Sequence, residues 1–531
     1  MKNKKVVLIL LSIIVFSSFW LVTSGMPYQH DIDFHFDRII GLTRTIKNGD
    51  FLALIHDSFY GYGYASGLFY SNFYIYIPAL LNVFGLSYMT SFKILYLLIN
   101  IITTVSIYYV LKRITKDDKI SIIGTIIYMF SNYRIVDVFI RGALGEMLAF
   151  MIIPFVILGL YEIVYGNYKK WYIFTVSFVL LLLAHIITTF LFSVFIFIFL
   201  LCNYKKFIED KNRLKYLLIS GVVGLLLGAF FLLPIIEQKL YGNISVFEDV
   251  SAFLPQNKMV GFKEFIIPTK FFNRNVGPVL LLLLPIRFLI KKEKIEDRNL
   301  LKLADTFYIL AIIAWISTTQ IFPWTKIGNS LSFIQFPWRL LIIVTPFLVF
   351  SYCIYFKFID NKKLLKMIYF SIVIVSVSEM LLYSVQCGFR KIQFKKIPEN
   401  EIGTGEYLIY KTNVTKFHKV KHKVVTNNQN MIVDYTKKGT KVTIKYFNNN
   451  KSNTYIEIPV FNYYGYKATG AKLENGKNNV IRLNINDTEG TIKVSYKGTN
   501  IQKVSYIVSC ITLLGLVVYI IKEKRNENGI S

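Results

Sequence analysis

The sequence predicts a mainly α-helical, polytopic membrane protein. About twelve transmembrane helices are expected, with an extracytoplasmic antiparallel β-sandwich before the last of them. Three observations predict this. Apolar segments near bilayer length recur along most of the chain; the loops on alternate sides are basic; and one long polar region near the C-terminus changes to a period-two pattern. Composition agrees. The 531 residues are 54% hydrophobic and 18% charged, with a mean hydropathy of +0.46. Soluble domains run about 45–50% apolar with about 25% charged residues.

The apolar segments fall at 5–24, 87–111, 119–132, 143–165, 171–187, 188–203, 214–236, 276–290, 303–320, 334–357, 364–385 and 503–521. Several are shorter than the roughly 20 residues of a full crossing, so the count carries a margin of one or two. Lys2, Lys4 and Lys5 precede the first segment. It is long for a secretory signal, and Thr23-Ser24-Gly25 replaces the small-x-small cleavage pattern, so it reads as a retained anchor. With the N-terminus inside, every short inside loop is basic. These loops hold Lys112, Arg113, Lys116 and Lys119; Lys169 and Lys170; Lys205 to Lys215; Lys291 to Arg298; Lys362 and Lys363; and Lys522 to Arg525. The expected location is therefore the cell membrane, multi-pass, with both termini cytoplasmic. The net charge of +29 resides largely in such loops. It reads as a topology signal and as contacts to anionic lipid heads, which excludes a nucleic-acid partner. The 36 tyrosines and 45 phenylalanines suit aromatic belts. Cys202, Cys353 and Cys510 lie in apolar segments and Cys387 near a helix end, so no disulfide framework is implied.

Residues 1–385 form the expected transmembrane domain, with long outer loops at 25–86 and 237–275. In the first loop, Gly61 to Gly67 reads as a turn-rich stretch and Phe69 to Phe84 as an interfacial or re-entrant helix. The second, with Pro255, Pro268 and Arg274, is expected to cap the site. Residues 386–502 form the β domain. Alternation shows in Val442, Ile444, Tyr446; in Ile481, Leu483, Ile485; and in Ile492, Val494, Tyr496, with turn clusters between. Residues 503–531 supply the final helix and tail.

Charged groups in or beside spans are costly and by default suggest function. The first cluster is His30-Asp31-Ile32-Asp33-Phe34-His35-Phe36-Asp37-Arg38. Asp31 and Asp33 suit a general base, a ligand pair for a divalent cation such as Mg or Mn, or both. His30 and His35 are placed to assist. The plainer reading makes Asp31 or Asp33 a helix cap and Asp37-Arg38 a solvated pair. Next come Arg134 with Asp137, then Arg141 and Glu146 at the outer mouth of a span. These last two suit a phosphate and a sugar hydroxyl, or pair with one another. His185 lies between two spans, to touch a lipid phosphate or to close a hairpin. Glu237 ends a helix on the outer side. Gln335 and Arg339, four apart, are expected on one helix face begun near Pro337. Arg339 suits a phosphate, or snorkels; Trp338 reads as an interfacial anchor. No Walker loop, HExxH or GxSxG is present.

Six stretches carry a family resemblance: HDIDFHFDRIIGL (30–42), YGYGYASGLFY (60–70), RGALGEMLAF (141–150), IQFPWRLL (334–341), IGTGEYL (402–408) and FNYYGYKA (461–468). The chain resembles bacterial polytopic proteins labelled 6-pyruvoyl-tetrahydropterin synthase-related. The pterin enzyme of that label is a small soluble zinc protein, and this chain shows no three-histidine zinc set. The family in turn is similar to the GT-C superfamily of membrane glycosyltransferases. That resemblance implies many spans, a first outer loop with an essential carboxylate, interfacial helices after it, and a soluble C-terminal domain. It places Asp31 or Asp33 as the catalytic carboxylate. His35, Arg38, Arg141, Glu146, His185, Gln335 and Arg339 become expected substrate or phosphate contacts. The implied partners are membrane lipids, a lipid-linked sugar donor and a cell-envelope glycan or polymer acceptor. The expected function is transfer of a sugar from a polyprenyl-phosphate at the outer face. The alternatives are a lipid or polysaccharide transporter and a non-catalytic envelope-assembly protein.

Overall fold

A computed structural model describes residues 2–23, 25–248, 254–267, 274–290, 297–388, 391–392, 405–413, 423–449 and 454–527. Seven helices are long and apolar enough to cross a bilayer: Lys4–Val22, Tyr88–Thr115, Leu144–Val164, Arg298–Ile316, Pro337–Lys357, Lys362–Cys387 and Asn500–Glu527. Two bent pairs raise the number to nine: Asp118–Met129 with Asn132–Arg141 (43°), and Lys211–Leu227 with Ala229–Tyr241 (65°).

The expected twelve spans are thus not reached among the described residues, for local reasons. Segments 171–187 and 188–203 form the helices Tyr172–Ala184 and Ile186–Cys202, broken at His185. Segment 276–290 is a five-residue helix followed by the 3₁₀ turn Leu284–Leu289, with Pro285 near its start. A hydropathy window does not register a break made by one polar residue or one proline. Helices Leu144–Val164 and Pro337–Lys357 form the centre of the bundle. Helices Lys4–Val22 and Asn500–Glu527 lie at its edge with most side chains exposed, as lipid-facing helices do.

Among the described residues, 423–496 hold eight strands: β1 (Val425–Thr426), β2 (Ile432–Lys438), β3 (Lys441–Phe447), β4 (Thr454–Phe461), β5 (Tyr466–Thr469), β6 (Lys472–Asn475), β7 (Val480–Ile485) and β8 (Glu489–Tyr496). They make two antiparallel sheets, ordered β2-β3-β8-β5 and β1-β4-β7-β6. The alternating residues point inward as read from the sequence: Val442, Ile444, Ile481, Leu483, Ile492 and Val494 are buried in one core between the sheets. Strand β4 shows a register shift between Ile458 and Phe461, beside Pro459, which cannot donate to the ladder. All four cysteines are free.

This sandwich does not stand apart. Its core continues into Ile55, Phe59, Tyr62, Tyr64, Leu68 and Phe69 of the first loop. The Phe461 amide donates to the Tyr62 carbonyl at 3.1 Å, and Lys437 pairs with Asp57 at 3.1 Å. The expected single helix over 69–84 is instead two short ones, Ser66–Phe69 and Tyr76–Val83. In the second loop, residues 243–246 bond to the 406–410 backbone, and Arg274 pairs with Glu264 at 2.8 Å. That loop therefore contacts the sandwich and the helix ends; Pro268 lies outside the described residues.

Candidate functional site: a carboxylate above a buried ion cluster

Backbone pairing brings the first loop to the third span. The His30 amide donates to the Ile140 carbonyl at 3.0 Å, and the Asp31 amide to the Arg141 carbonyl at 2.8 Å. Residues Asp137–Arg141 form one π-helical turn, a form frequent at functional sites. Gly142 closes it at φ +63°, and a Cβ there would lie 2.8 Å from Gln29 Cβ. The turn thus needs glycine twice over, for its backbone angle and for the close approach of the loop.

Below this junction lies a dry ion cluster. Glu146, in the first turn of Leu144–Val164, accepts from Arg141 Nη2 at 2.8 Å and Arg339 Nε at 3.0 Å, and from the Tyr133 hydroxyl. Arg141 Nη1 also donates to Asp137 at 2.6 Å and Tyr133 at 3.1 Å. Its guanidinium lies over Trp338, 4.6 Å from the ring centroid. Arg339 Nη1 donates to the Ile334 carbonyl at 2.8 Å and Gln335 Oε1 at 3.1 Å. Arg141, Glu146, Asp137, Arg339 and Trp338 are all buried. Of the two readings left open, Arg141 and Glu146 here pair with one another. Trp338 is packed inside the cluster and is not an interfacial anchor.

Gln335 meets Arg339 without sharing a helix with it. It sits at φ +66°, ψ −48°, with the Phe336 amide bonded to the Ile334 carbonyl at 2.7 Å. This is a γ-turn of the strained, positive-φ kind; regular α-helix begins only at Leu341.

Asp31 occupies the N-cap position of the helix Ile32–Lys47 but makes no side-chain cap bond. Its carboxylate, partly exposed, has no hydrogen-bond partner among the described residues. Burial raises its pKa, and the charges of Arg141 and Arg339 pull it back down. Asp33 is exposed in the first turn of the same helix. Among the described residues no three His, Cys, Asp or Glu side chains gather as a metal site.

The remaining candidates divide. His185 caps the helix Ile186–Cys202, its Nδ1 2.7 Å from Thr188 Oγ1 and accepting from the Thr188 amide at 3.3 Å. It still borders the cluster: a Cβ on Gly145 would lie 2.8 Å from the His185 ring and 2.0 Å from the Tyr70 hydroxyl. Arg38 and Asp37 are buried and are not the solvated pair expected. Arg38 Nη2 donates to the Tyr70 and Ser71 carbonyls at 2.8 and 3.1 Å, and the guanidinium lies 4.2 Å from the Tyr70 centroid. Its Nε and Nη1, and Nδ1 of buried His35, have no hydrogen-bond partner among the described residues. Burial holds His35 neutral, with a pKa well below the ordinary value. Arg134 bonds to Asn100 at 2.5 Å and to the Met129 carbonyl at 2.8 Å, not to Asp137. Glu237 accepts from Thr499 at 2.6 Å, beside the last helix and away from the cluster. Tyr70, Tyr133 and Trp338 were not legible as site residues. Their only signal was position, inside or within a few residues of the stretches that carry the family resemblance.

Asp37 gives a test of this electrostatic picture. Burial, with Asp33 adding, pushes its pKa from 3.8 up to about 7, against the pull of Arg44. Between about pH 4 and 7 the folded state therefore holds a proton that the unfolded chain has lost, and stability falls as pH rises. Asp37→Asn is expected to raise the Tm at pH 8 and to change it little at pH 4. Thermal unfolding of the detergent-solubilised protein at both values checks this, and a shift of equal size at both rejects it.

A family profile described as 6-pyruvoyl-tetrahydropterin synthase related domain, membrane protein, matches residues 68–384, more than half of the chain. The chain belongs to this family. The match takes in Arg141, Glu146, His185 and Arg339, so the 6-pyruvoyl-tetrahydropterin synthase related region holds the ion cluster, while Asp31 and the sandwich lie outside it. No curated protein matches. Among solved structures, the chain is similar to the arabinofuranosyltransferase AftD from Mycobacteria. The identity is 12% and the TM-score 0.46, over 75% of this chain and 28% of that one. The chain thus spans little more than a quarter of that protein's length.

Proposed function

We propose that this membrane protein is a glycosyltransferase. It takes a sugar from a polyprenyl-phosphate donor and passes it to a cell-envelope acceptor at the outer face. One observation carries the reading. Asp31 stands at a helix start that it does not cap, its amide bonded to the Arg141 carbonyl and its carboxylate in the field of two guanidinia that Glu146 holds.

As base, Asp31 takes the proton of the acceptor hydroxyl. The freed oxygen attacks the anomeric carbon, and the bond to the phosphate breaks. Arg141 and Arg339 favour the negative charge that grows on the leaving phosphate. Arg38 adds a cation with donors unused. The deciding comparison is of lipid-linked sugars and envelope glycans in a strain lacking the protein with those in a strain carrying Asp31→Asn. An undecorated acceptor and accumulated donor in both supports transfer; wild-type glycans in the Asp31→Asn strain oppose it.

The orientation belongs to the same proposal: termini inside, sandwich outside. In a cysteine-free background, a single cysteine at Asn449 is expected to react with an impermeant reagent on intact cells, and one at Asn526 is not. The reverse pattern overturns the orientation.

A further inference from the structure

A second polar cluster lies at the other end of the helix that follows Arg339. Arg339 and Tyr355 are sixteen positions apart, about 24 Å of helix. There Arg287 and Asp305 meet edge to edge, Nε to Oδ1 at 2.6 Å and Nη2 to Oδ2 at 3.1 Å. The Tyr355 hydroxyl donates to the same Oδ1 at 2.7 Å, and Tyr308 donates to the Leu284 carbonyl at 3.0 Å. These four side chains line a cavity of 460 Å³. Its rim carries Phe288 and Ile309, 88% and 57% exposed.

The chemistry of the cavity is two-sided. Arginine has five N–H donors in a planar fork. Asp305 engages one edge of it, and Nη1 has no hydrogen-bond partner among the described residues. Tyr355 and Asp305 hold the guanidinium in one orientation, whereas a snorkelling arginine is anchored by nothing but water and lipid. Lys302 is exposed three residues before Asp305 on the same helix face. With Arg287, Lys302 and Asp305 together the mouth carries one net positive charge. An occupant that matches has one negative charge to set against the open edge of Arg287 and an apolar body to lie over Phe288 and Ile309.

We propose that this cavity binds the headgroup of an anionic glycerophospholipid in the leaflet opposite the ion cluster, with the phosphodiester on Arg287 and the acyl chains over the apolar rim of Phe288 and Ile309. The site is independent of the transfer reaction. The test uses the full-length protein in uncharged maltoside micelles with three probes: dioctanoyl phosphatidylglycerol, dioctanoylglycerol and inorganic phosphate. Native mass spectrometry and thermal unfolding report binding. Phosphatidylglycerol is expected to bind and to raise the Tm, and the other two are not. The double variant Arg287→Gln/Asp305→Asn removes both charges together, leaving no buried carboxylate unpaired. It is expected to weaken phosphatidylglycerol binding tenfold or more. Lys302→Gln and Phe288→Ser, on the rim, keep the ion pair and are each expected to weaken it about threefold, consistent with a partly exposed contact. They carry the test if the double variant fails to fold. Equal stabilisation by dioctanoylglycerol means an apolar cavity only. Equal binding of inorganic phosphate means a free-anion site. Unchanged lipid binding in the variants means no site at Arg287. Each of these overturns the proposal.

Discussion

Asp31→Asn is expected to lower sugar transfer by about 10²–10⁴-fold, the usual contribution of a general base, and to leave the protein folded. The substitution keeps the size of the side chain and removes its charge. Asn and Asp cap helices about equally, and the Asp31 side chain makes no cap bond in any case. Stability therefore has little to lose. The loss falls on kcat, because the acceptor proton has nowhere to go. The pKa of Asp31 is raised by burial, so the acid limb of the wild-type pH–rate profile is expected above the ordinary aspartate range. That limb is expected to vanish in the variant. Asp33→Asn is the control. Exposed and outside the ion cluster, Asp33 is expected to tolerate the change within about threefold, in line with exposed sites away from such features. Comparable loss from both substitutions, or retained activity in Asp31→Asn, rejects Asp31 as the base.

The sequence singled out residues 30–38 but did not choose between Asp31 and Asp33. The choice depends on two long-range backbone bonds, from His30 and Asp31 to residues 140 and 141, and no local pattern encodes a pairing across more than a hundred positions. The sandwich was legible because one face of each sheet is buried: period two in residues 442–446 and 481–485 follows directly from that. Strand β4 was less legible, being buried on nearly every position, which erases alternation. The span count was not reached where the segments 171–187 and 188–203, read as two spans either side of His185, form helices of 13 and 17 residues, and where 276–290 breaks at Pro285, since apolar composition does not give the length of regular helix. Arg141, Glu146 and Arg339 were legible as costly charges. Their partners Tyr133 and Trp338, and the Tyr70 that holds Arg38, were not, because aromatic residues are abundant throughout this chain and carry no charge to mark them.

The contact of the sandwich with residues 55–69 bears on the same question. The helix Ile32–Lys47 is linked through Arg38 to Tyr70 and Ser71, and Phe69 stacks on Tyr407 with centroids 5.3 Å apart. Asp31 is thus positioned from both sides, by the third span through its backbone and by the sandwich through the first loop.

Glu146→Gln is expected to cost about 3–5 kcal/mol of stability, the usual effect of removing one member of a buried ion network. Glu146 is 1% exposed and accepts from Arg141, Arg339 and Tyr133. Glutamine can keep its oxygen on the two guanidinia, which share Oε1, but its NH2 then faces the Tyr133 hydroxyl and the negative charge between the two cations is gone. Two buried cations then share Asp137 alone, and a charge left unpaired in a dry interior is far more costly than a lost hydrogen bond. Glu146→Asp keeps the charge but draws it back by one methylene, so its loss is expected to be smaller. Unfolding of the detergent-solubilised protein, followed by the fraction that stays monodisperse after heating, measures both. The alternative role, a sugar contact, makes the opposite demand. There Glu146→Gln folds with an unchanged Tm and shows only a raised KM. A Tm within about 1 °C of wild type, roughly the effect of 1 kcal/mol in a chain of this length and well short of 3–5 kcal/mol, together with weaker donor or acceptor binding, moves Glu146 from the foundation of the site to its surface.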